Sequence, residues 1–490
     1  MDERSRKWVG DALVLVPVTV AALVAFLFIG RKSFWGDEAF SVALAGSDWG
    51  AFWHVLSERQ ANMGVYYLLL KAWTAVAGDG EAAARSLSAL AAVAAVGVVY
   101  VLASRLFGRF VGVVSGVALA LNAFLARYAQ EARGYTLALL GGALATLAFV
   151  GLIEAPRSRR IWFAYVVLAS AALYCHFFVA FVLLAHLATL PFVEDSRARR
   201  RVLEAAAAVA VLASPLVLFA LFRDEGQVEL IPGVTPYRIV SALGALSGGT
   251  VATLVVFCGL AAAAIAAIVR SRGEDRAHLW PYALVIAWLV VPLVGAALLS
   301  LAKPLFLARY LIVMLPPLAI LIALGAQALR PRWAAAALAL AFAASVHGLA
   351  GWYPGEEKEG LDFRSAADRI AERGSPSDGI AFYRPSRRLP IEYYLRREGV
   401  IGRAPTPVFP AATWGDYDLI EDYELRRPPS STWASLVARA AARHERIWLV
   451  QTGSDLYEDE RVALERALEA AYERREEHDH GDLQVVLFQH

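Results

Sequence analysis

The chain has 490 residues, 58% of them hydrophobic and 19% charged, with a mean hydropathy of +0.50. That balance excludes a wholly soluble protein and describes a polytopic membrane protein with a soluble portion. Its 47 basic and 45 acidic residues leave a formal net charge of +2, so no overall field draws in nucleic acid. Cys175 and Cys258, the only two cysteines, sit in apolar runs, which excludes a disulfide framework and a cysteine-built metal site.

Arg4, Arg6 and Lys7 precede a first apolar span near residues 12–30. No small-x-small cleavage site comes before Arg31, so the span is expected to stay as an anchor with a cytoplasmic N-terminus. Further spans of adequate length follow at about 82–103, 109–126, 135–153, 161–175, 177–193, 202–222, 241–268, 280–300, 309–327 and 334–352, roughly eleven in all. The block 161–193 reads either as one long span or as two short helices hinged near Tyr174-Cys175-His176. The positive-inside rule favours two helices. One set of loops then collects Arg105 and Arg109, Arg157 to Arg160, Arg197 to Arg201, Arg270 to Arg276, and Arg330 with Arg332. The same alternation puts residues 31–81, Arg127 to Arg133, the loop 223–240, Lys303 to Arg309 and everything after Tyr353 outside.

Just where the first span ends stand Trp35-Gly36-Asp37-Glu38. A carboxylate at the water edge of the lipid meets a lipid-borne head group and still stays ionised. The segment 31–81 is too long for a simple connector and reads as an external loop of interfacial helices. Trp49, Phe52, Trp53 and Leu56 form one apolar stripe, and Val65 to Trp73, with Tyr66 and Tyr67, forms another. These helices are expected to roof a cavity.

The expected domains are 1–353 in the membrane and 354–490 outside it as a small α/β domain. From Pro354 the sequence becomes charged and Pro-punctuated, with β-like runs at 380–383, 447–450 and 483–488. Asp362 to Arg373 and Asp459 to Glu476 carry amphipathic helical patterns. No Gly-x-Gly-x-x-Gly fingerprint occurs there, which argues against nucleotide binding.

Several short motifs, in order and on one expected side, carry a resemblance. They are Trp35-Gly36-Asp37-Glu38, Tyr66-Tyr67-Leu68-Leu69-Leu70-Lys71, Arg85-Ser86-Leu87-Ser88, Tyr128 through Tyr135, Tyr174-Cys175-His176-Phe177, and Arg309-Tyr310. Together the membrane portion resembles the GT-C membrane glycosyltransferases, in the branch of the protein O-mannosyltransferases and lipid A aminoarabinose transferases. The resemblance implies a GT-C-like fold, a polyprenyl-phosphate-linked sugar donor, and action on the outer face of the membrane. It also implies a catalytic base at Asp37, by position within Trp-Gly-Asp-Glu. The sequence departs from the pattern in two places. Asn62-Met63-Gly64 stands where many relatives carry a His- or Lys-Pro-Pro, and Glu131 stands where the second external loop often has Asp.

Moving a sugar from a lipid phosphate to a hydroxyl needs a base for the nucleophile and counter-charge for the departing phosphate, but no strong acid. Adjacent Asp37 and Glu38 cannot easily face each other across a sugar ring, so they make a poor hydrolase pair. Asp37 is therefore expected to act as base, and Glu38 to orient or bind the acceptor. Arginine suits the phosphate through its bidentate geometry and permanent charge. The candidate substrate-binding residues are Tyr66, Lys71, Arg85, Glu131, Arg133, Tyr135, His176, Arg309 and Tyr310. External loops lack a His-Glu cluster with ligand spacing, so neither metal nor cofactor is expected. The expected activity is an inverting transfer of mannose or arabinose from a polyprenyl-phosphate donor to an extracytoplasmic glycan, lipid or protein hydroxyl, in a bacterial cell membrane. A lipid-linked sugar flippase or secondary transporter is the alternative. It would require ionisable residues or broken helices near the bilayer midplane and related halves, whereas the charges here cluster at external helix ends.

Overall fold

The computed structural model describes residues 12–222, 233–270, 276–354, 357, 360–410, 414, 432–452 and 458–490. Arg4, Arg6, Lys7 and Arg272 of the basic clusters lie outside the described residues. By internal contacts the chain divides into two units: Met1–Ile29 with Ser47–Pro354, and Gly30–Gly46 with Gly355–His490.

The first unit is a helical membrane bundle. Among the described residues, seven helices are long and apolar enough to cross a membrane, or eight if one bent pair counts as a single span. Glu81–Phe107 and Tyr135–Glu154 are long single helices, as the apolar runs predict. The expected 161–193 block is divided: Arg159–Cys175 ends at His176, and a separate apolar helix covers Phe177–Phe192. Two other expected spans are broken. The run 109–126 becomes Arg109–Ala120 and Ala123–Ala129, bent by 61°. At the bend Asn122 takes an extended conformation; its Oδ1 accepts from Leu125 N at 3.0 Å and its Nδ2 donates to the Leu246 carbonyl at 2.9 Å. One side chain thus caps a new helix start and the end of another helix. The run 241–268 breaks into Pro236–Leu246 and Val251–Arg270 across Gly248 and Gly249, both at positive φ.

Lipid supplies no hydrophobic drive between helices, so close backbone approach and buried hydrogen bonds hold the bundle. Gly325 shows the first device: a Cβ there would lie 2.0 Å from the Leu260 carbonyl, so Leu315–Ala328 and Val251–Arg270 cross at backbone contact. His186 shows the second. Thr146 Oγ1 donates to the Gly142 carbonyl at 2.8 Å and so accepts the Nε2 hydrogen of His186 at 3.0 Å. The other ring nitrogen accepts from Tyr165 Oη at 3.1 Å, and the Phe149 ring stacks on the imidazole at 4.3 Å. Three consecutive apolar helices are pinned by one neutral histidine.

The second unit is a three-layer α/β domain. Strands β1 (Gly379–Phe382), β2 (Thr406–Phe409), β3 (Arg446–Thr452), β4 (Glu473–His480) and β5 (Leu483–Gln489) lie in the order β2-β1-β3-β5-β4. β1 pairs parallel with β2 and β3, while β5 pairs antiparallel with β3 and β4. Alternation sends Trp448, Val450, Leu483 and Val485 to the face covered by helices Phe363–Arg373 and Arg388–Arg397. Ile447, Leu449, Val486 and Phe488 face Trp433–Ala441 and Glu458–Ala471. The helical pattern expected to Glu476 stops at Ala471, and the charged run after it is the edge strand β4. Charges on an edge strand repel unwanted partners.

Residues 30–46 belong to this unit through direct contacts. Ser33 N and Oγ donate to Glu357 Oε2 at 2.6 and 3.1 Å, and Phe34 N donates to Tyr394 Oη at 2.8 Å. The Phe34 ring meets Tyr393 edge-on at 5.0 Å, Trp35 joins the core, and helix Gly36–Gly46 packs on Arg388–Arg397.

Candidate active-site residues

In the membrane unit the first helix, Leu15–Phe26, ends in a clasp. Gln130 Nε2 donates to the carbonyls of Ala25 and Leu27 at 3.2 and 2.7 Å, and Arg85 Nη1 donates to that of Ile29 at 3.0 Å. These are the orphan carbonyls of a helix end, satisfied by side chains instead of water. Arg85, expected at the substrate, is buried at this clasp.

The clasp leads into the turn 130–134. Arg133 N donates to the Glu131 carbonyl at 2.8 Å, and Ser88 Oγ donates to the Arg133 carbonyl at 3.1 Å. Glu131 is 1% exposed. A Cβ on Gly134 would stand 3.0 Å from Met63 Cε, 3.1 Å from Tyr66 Cβ and 3.2 Å from the Cys175 carbonyl, so three segments converge where only glycine fits without displacement.

Around that point gather cations and aromatic rings. Arg133 Nη1 donates to Tyr67 Oη at 2.9 Å, and its guanidinium lies 6.0 Å from the Tyr135 ring. Tyr67 Oη in turn donates to Gln60 Oε1 at 3.4 Å. The Arg309 guanidinium is 5.7 Å from the ring of Tyr310, in the short 3₁₀ helix Ala308–Met314. Both arginines lie within electrostatic reach of His176, whose ring is 4.8 Å from Tyr310 and 5.8 Å from Tyr135. Tyr66 meets Tyr67 edge-on at 5.4 Å. Seven expected residues, Tyr66, Glu131, Arg133, Tyr135, His176, Arg309 and Tyr310, thus share one neighbourhood. Lys71 stands elsewhere: its Nζ donates to the Ser47 carbonyl and lies 4.8 and 5.1 Å from the rings of Trp49 and Phe52.

Tyr67, noted only within a stripe and a motif, and Gln60 were not among the residues expected at the substrate. Tyr66 and Tyr67 are neighbours on helix Gly64–Ala77, both fully buried, and nothing in the apolar pattern says which hydroxyl meets a guanidinium. Gln60 follows Arg59 in a π-helical turn that periodicity does not announce.

In the second unit, Asp37 and Glu38 form the first turn of helix Gly36–Gly46, where carboxylates favourably meet the positive end of the helix dipole. Glu38 N and Ala39 N donate to the Trp35 carbonyl at 3.0 Å, and Ser41 Oγ donates to that of Asp37 at 2.8 Å. Glu38 is fully buried and Asp37 partly exposed. The Gly36 turn runs beside the backbone of Ser386, with 3.7 Å from its virtual Cβ to that carbonyl.

Comparison with known proteins adds three findings. Residues 64–223 match the family described as dolichyl-phosphate-mannose-protein mannosyltransferase. No protein of curated function matches the sequence. Among solved structures, ArnT from Cupriavidus metallidurans in the apo state aligns at a TM-score of 0.62 and 15% identity, covering 99% of this chain and 98% of that one. ArnT bound to undecaprenyl phosphate aligns at 0.59 and 14%, covering 97% of each chain. The Archaeoglobus fulgidus oligosaccharyltransferase tethered with an acceptor peptide aligns at 0.53 and 11%, covering 91% of this chain and 70% of that one. The chain thus shares the fold of these structures over nearly its whole length, and its residues 64–223 carry the sequence pattern of the mannosyltransferase family.

Proposed function

We propose that the protein is a membrane glycosyltransferase that moves a sugar from a polyprenyl-phosphate donor to a hydroxyl of an extracytoplasmic acceptor. The observation that carries the reading is the pair of guanidinium groups, Arg133 and Arg309, gathered with Tyr67, Tyr135, His176 and Tyr310 in the membrane unit. Two permanent cations among aromatic rings are suited to a lipid phosphate. The structural relative that carries undecaprenyl phosphate supports the same ligand class here.

In this reading Asp37 takes the proton of the acceptor hydroxyl while the acceptor oxygen attacks the anomeric carbon. The bond from that carbon to the phosphate oxygen breaks, and its electron pair leaves with the polyprenyl phosphate. A single displacement inverts the anomeric configuration, and Arg133 and Arg309 neutralise the charge that develops. Glu38 orients Asp37 or the acceptor. Mannose or arabinose is the transferred sugar, the N-terminus is cytoplasmic, and residues 354–490 are extracytoplasmic. No metal is required for a leaving group that departs as a stable anion between two arginines.

The test supplies purified protein in sealed liposomes with polyprenyl-phosphate mannose or arabinose and an envelope extract. Mass spectrometry follows the labelled product, and NMR reads its anomeric configuration. An inverted glycoside supports the proposal. Movement of the lipid-linked sugar across the bilayer without any glycoside formed would overturn it in favour of a flippase.

A further inference from the structure

His176 is 4% exposed and ends the Arg159–Cys175 helix in an extended conformation, with φ −169° and ψ 125°. Its Nδ1 accepts the backbone N–H of Phe178 at 3.3 Å. A proton on Nδ1 would set two N–H groups against each other, so the ring keeps its hydrogen on Nε2 and is neutral. No described residue accepts that Nε2 hydrogen. A nearly buried donor is thus held among the rings of Tyr135, Phe177, Phe178 and Tyr310, with Arg133 and Arg309 in electrostatic reach. An N–H that keeps slight access in an almost closed aromatic pocket, beside two cations, is placed to meet an anion there.

The chemistry of the proposed reaction says which oxygen. In the sugar donor the phosphate is a diester with two non-bridging oxygens. Once the glycosidic bond breaks, the former bridging oxygen keeps the electron pair and the phosphate becomes a monoester with three. Two arginines serve the two oxygens present from the start. The third needs a donor only as the bond breaks, and a donor used only then lowers the barrier instead of tightening ground-state binding. A neutral N–H supplies it without a third full charge, which would hold the phosphate product too firmly to release.

We infer that His176 is a catalytic residue whose neutral Nε2–H donates to the departing phosphate oxygen, making the site selective for a phosphate monoester over a diester. This rests on Arg133 and Arg309 holding the donor phosphate.

The experiment measures binding of undecaprenyl phosphate, a monoester, and of its methyl ester, a diester, to protein in nanodiscs. His176→Phe keeps the ring packing and removes the donor, while His176→Gln restores an N–H near the Nε2 position. The expected result is that His176→Phe weakens monoester binding roughly tenfold or more and diester binding less than about threefold, with His176→Gln recovering most of the loss. Equal losses for both lipids, or none for either, at unchanged thermal stability would overturn the inference. Inorganic phosphate binding as tightly as undecaprenyl phosphate would also overturn it, by assigning the site to the free ion. Arg133→Gln and Arg309→Gln are measured beside it. Full retention of both lipids in those variants defeats the donor-phosphate reading itself, whatever His176 does.

Discussion

Removing one hydroxyl should weaken the proposed anion site without touching a charge. Arg133 reaches Tyr67 Oη at 2.9 Å, and the tyrosine is fully buried on helix Gly64–Ala77. A hydrogen bond to a charged group contributes about 1.5 to 3 kcal/mol, so Tyr67→Phe should release the Arg133 guanidinium at roughly that cost, a factor of about 10 to 100. Ring packing survives, because phenylalanine keeps the edge contact with Tyr66 at 5.4 Å. The loss should therefore appear in affinity for undecaprenyl phosphate, titrated in nanodiscs, and only weakly in thermal stability. Tyr135 still lies 6.0 Å from Arg133, so a residual interaction remains and binding should not vanish. Wild-type affinity in Tyr67→Phe would show that the position of Arg133 does not matter to the lipid phosphate, and would refute the reasoning.

Three further outcomes follow from the geometry. Gly134→Ala forces a Cβ to within 3.0 to 3.2 Å of Met63, Tyr66 and Cys175; overpacking of this kind costs about 1 to 3 kcal/mol, and calorimetry should show a lower Tm together with weakened lipid binding. Asn122→Ala removes a helix cap and the bond to the Leu246 carbonyl, and should destabilise the membrane unit by about 1 to 3 kcal/mol in a denaturant titration with donor-lipid affinity nearly unchanged. Burial raises the Glu357 carboxyl above its ordinary value, helped by the charge of Asp362 and opposed by the Ser33 hydrogen bonds and Arg364. The protonated form is thus favoured in the folded state. Its stabilising contribution is complete below the ordinary glutamate pKa and is lost as pH rises through the raised value, so Glu357→Gln should flatten that part of the Tm-against-pH curve.

The membrane architecture was legible because lipid demands long apolar runs with internally satisfied backbones. Breaks were less so: Asn122 interrupts one run through two hydrogen bonds, one of them to a residue 124 positions away, which no local pattern contains. In the second unit β1, β3 and β5 announced themselves as buried apolar runs, whereas β4 reads Glu-Arg-Arg-Glu-Glu-His-Asp-His and hides its alternation behind charge. The segment 31–81 was read as one external loop, yet Gly30–Gly46 groups with the C-terminal residues and the rest with the bundle. The contacts responsible, Ser33 with Glu357 and Phe34 with Tyr394, span more than three hundred positions and carry no periodic signal. Motif order named Arg133, His176 and Arg309, which the fold brings into one neighbourhood. It could not tell that Arg85 serves the Ile29 carbonyl or that Tyr67 holds Arg133, since both depend on which way a side chain turns from its helix.

Asp37 as the base is the claim on which the chemistry turns. The direct measurement is single-turnover transfer from a polyprenyl-phosphate sugar by Asp37→Asn, with Glu38→Gln alongside, in nanodiscs matched for protein amount and Tm. A general base is worth about 10²- to 10⁴-fold, so Asp37→Asn should lose transfer by that factor while still binding undecaprenyl phosphate, and Glu38→Gln should lose less. Turnover of Asp37→Asn within a few-fold of the wild type would contradict the assignment.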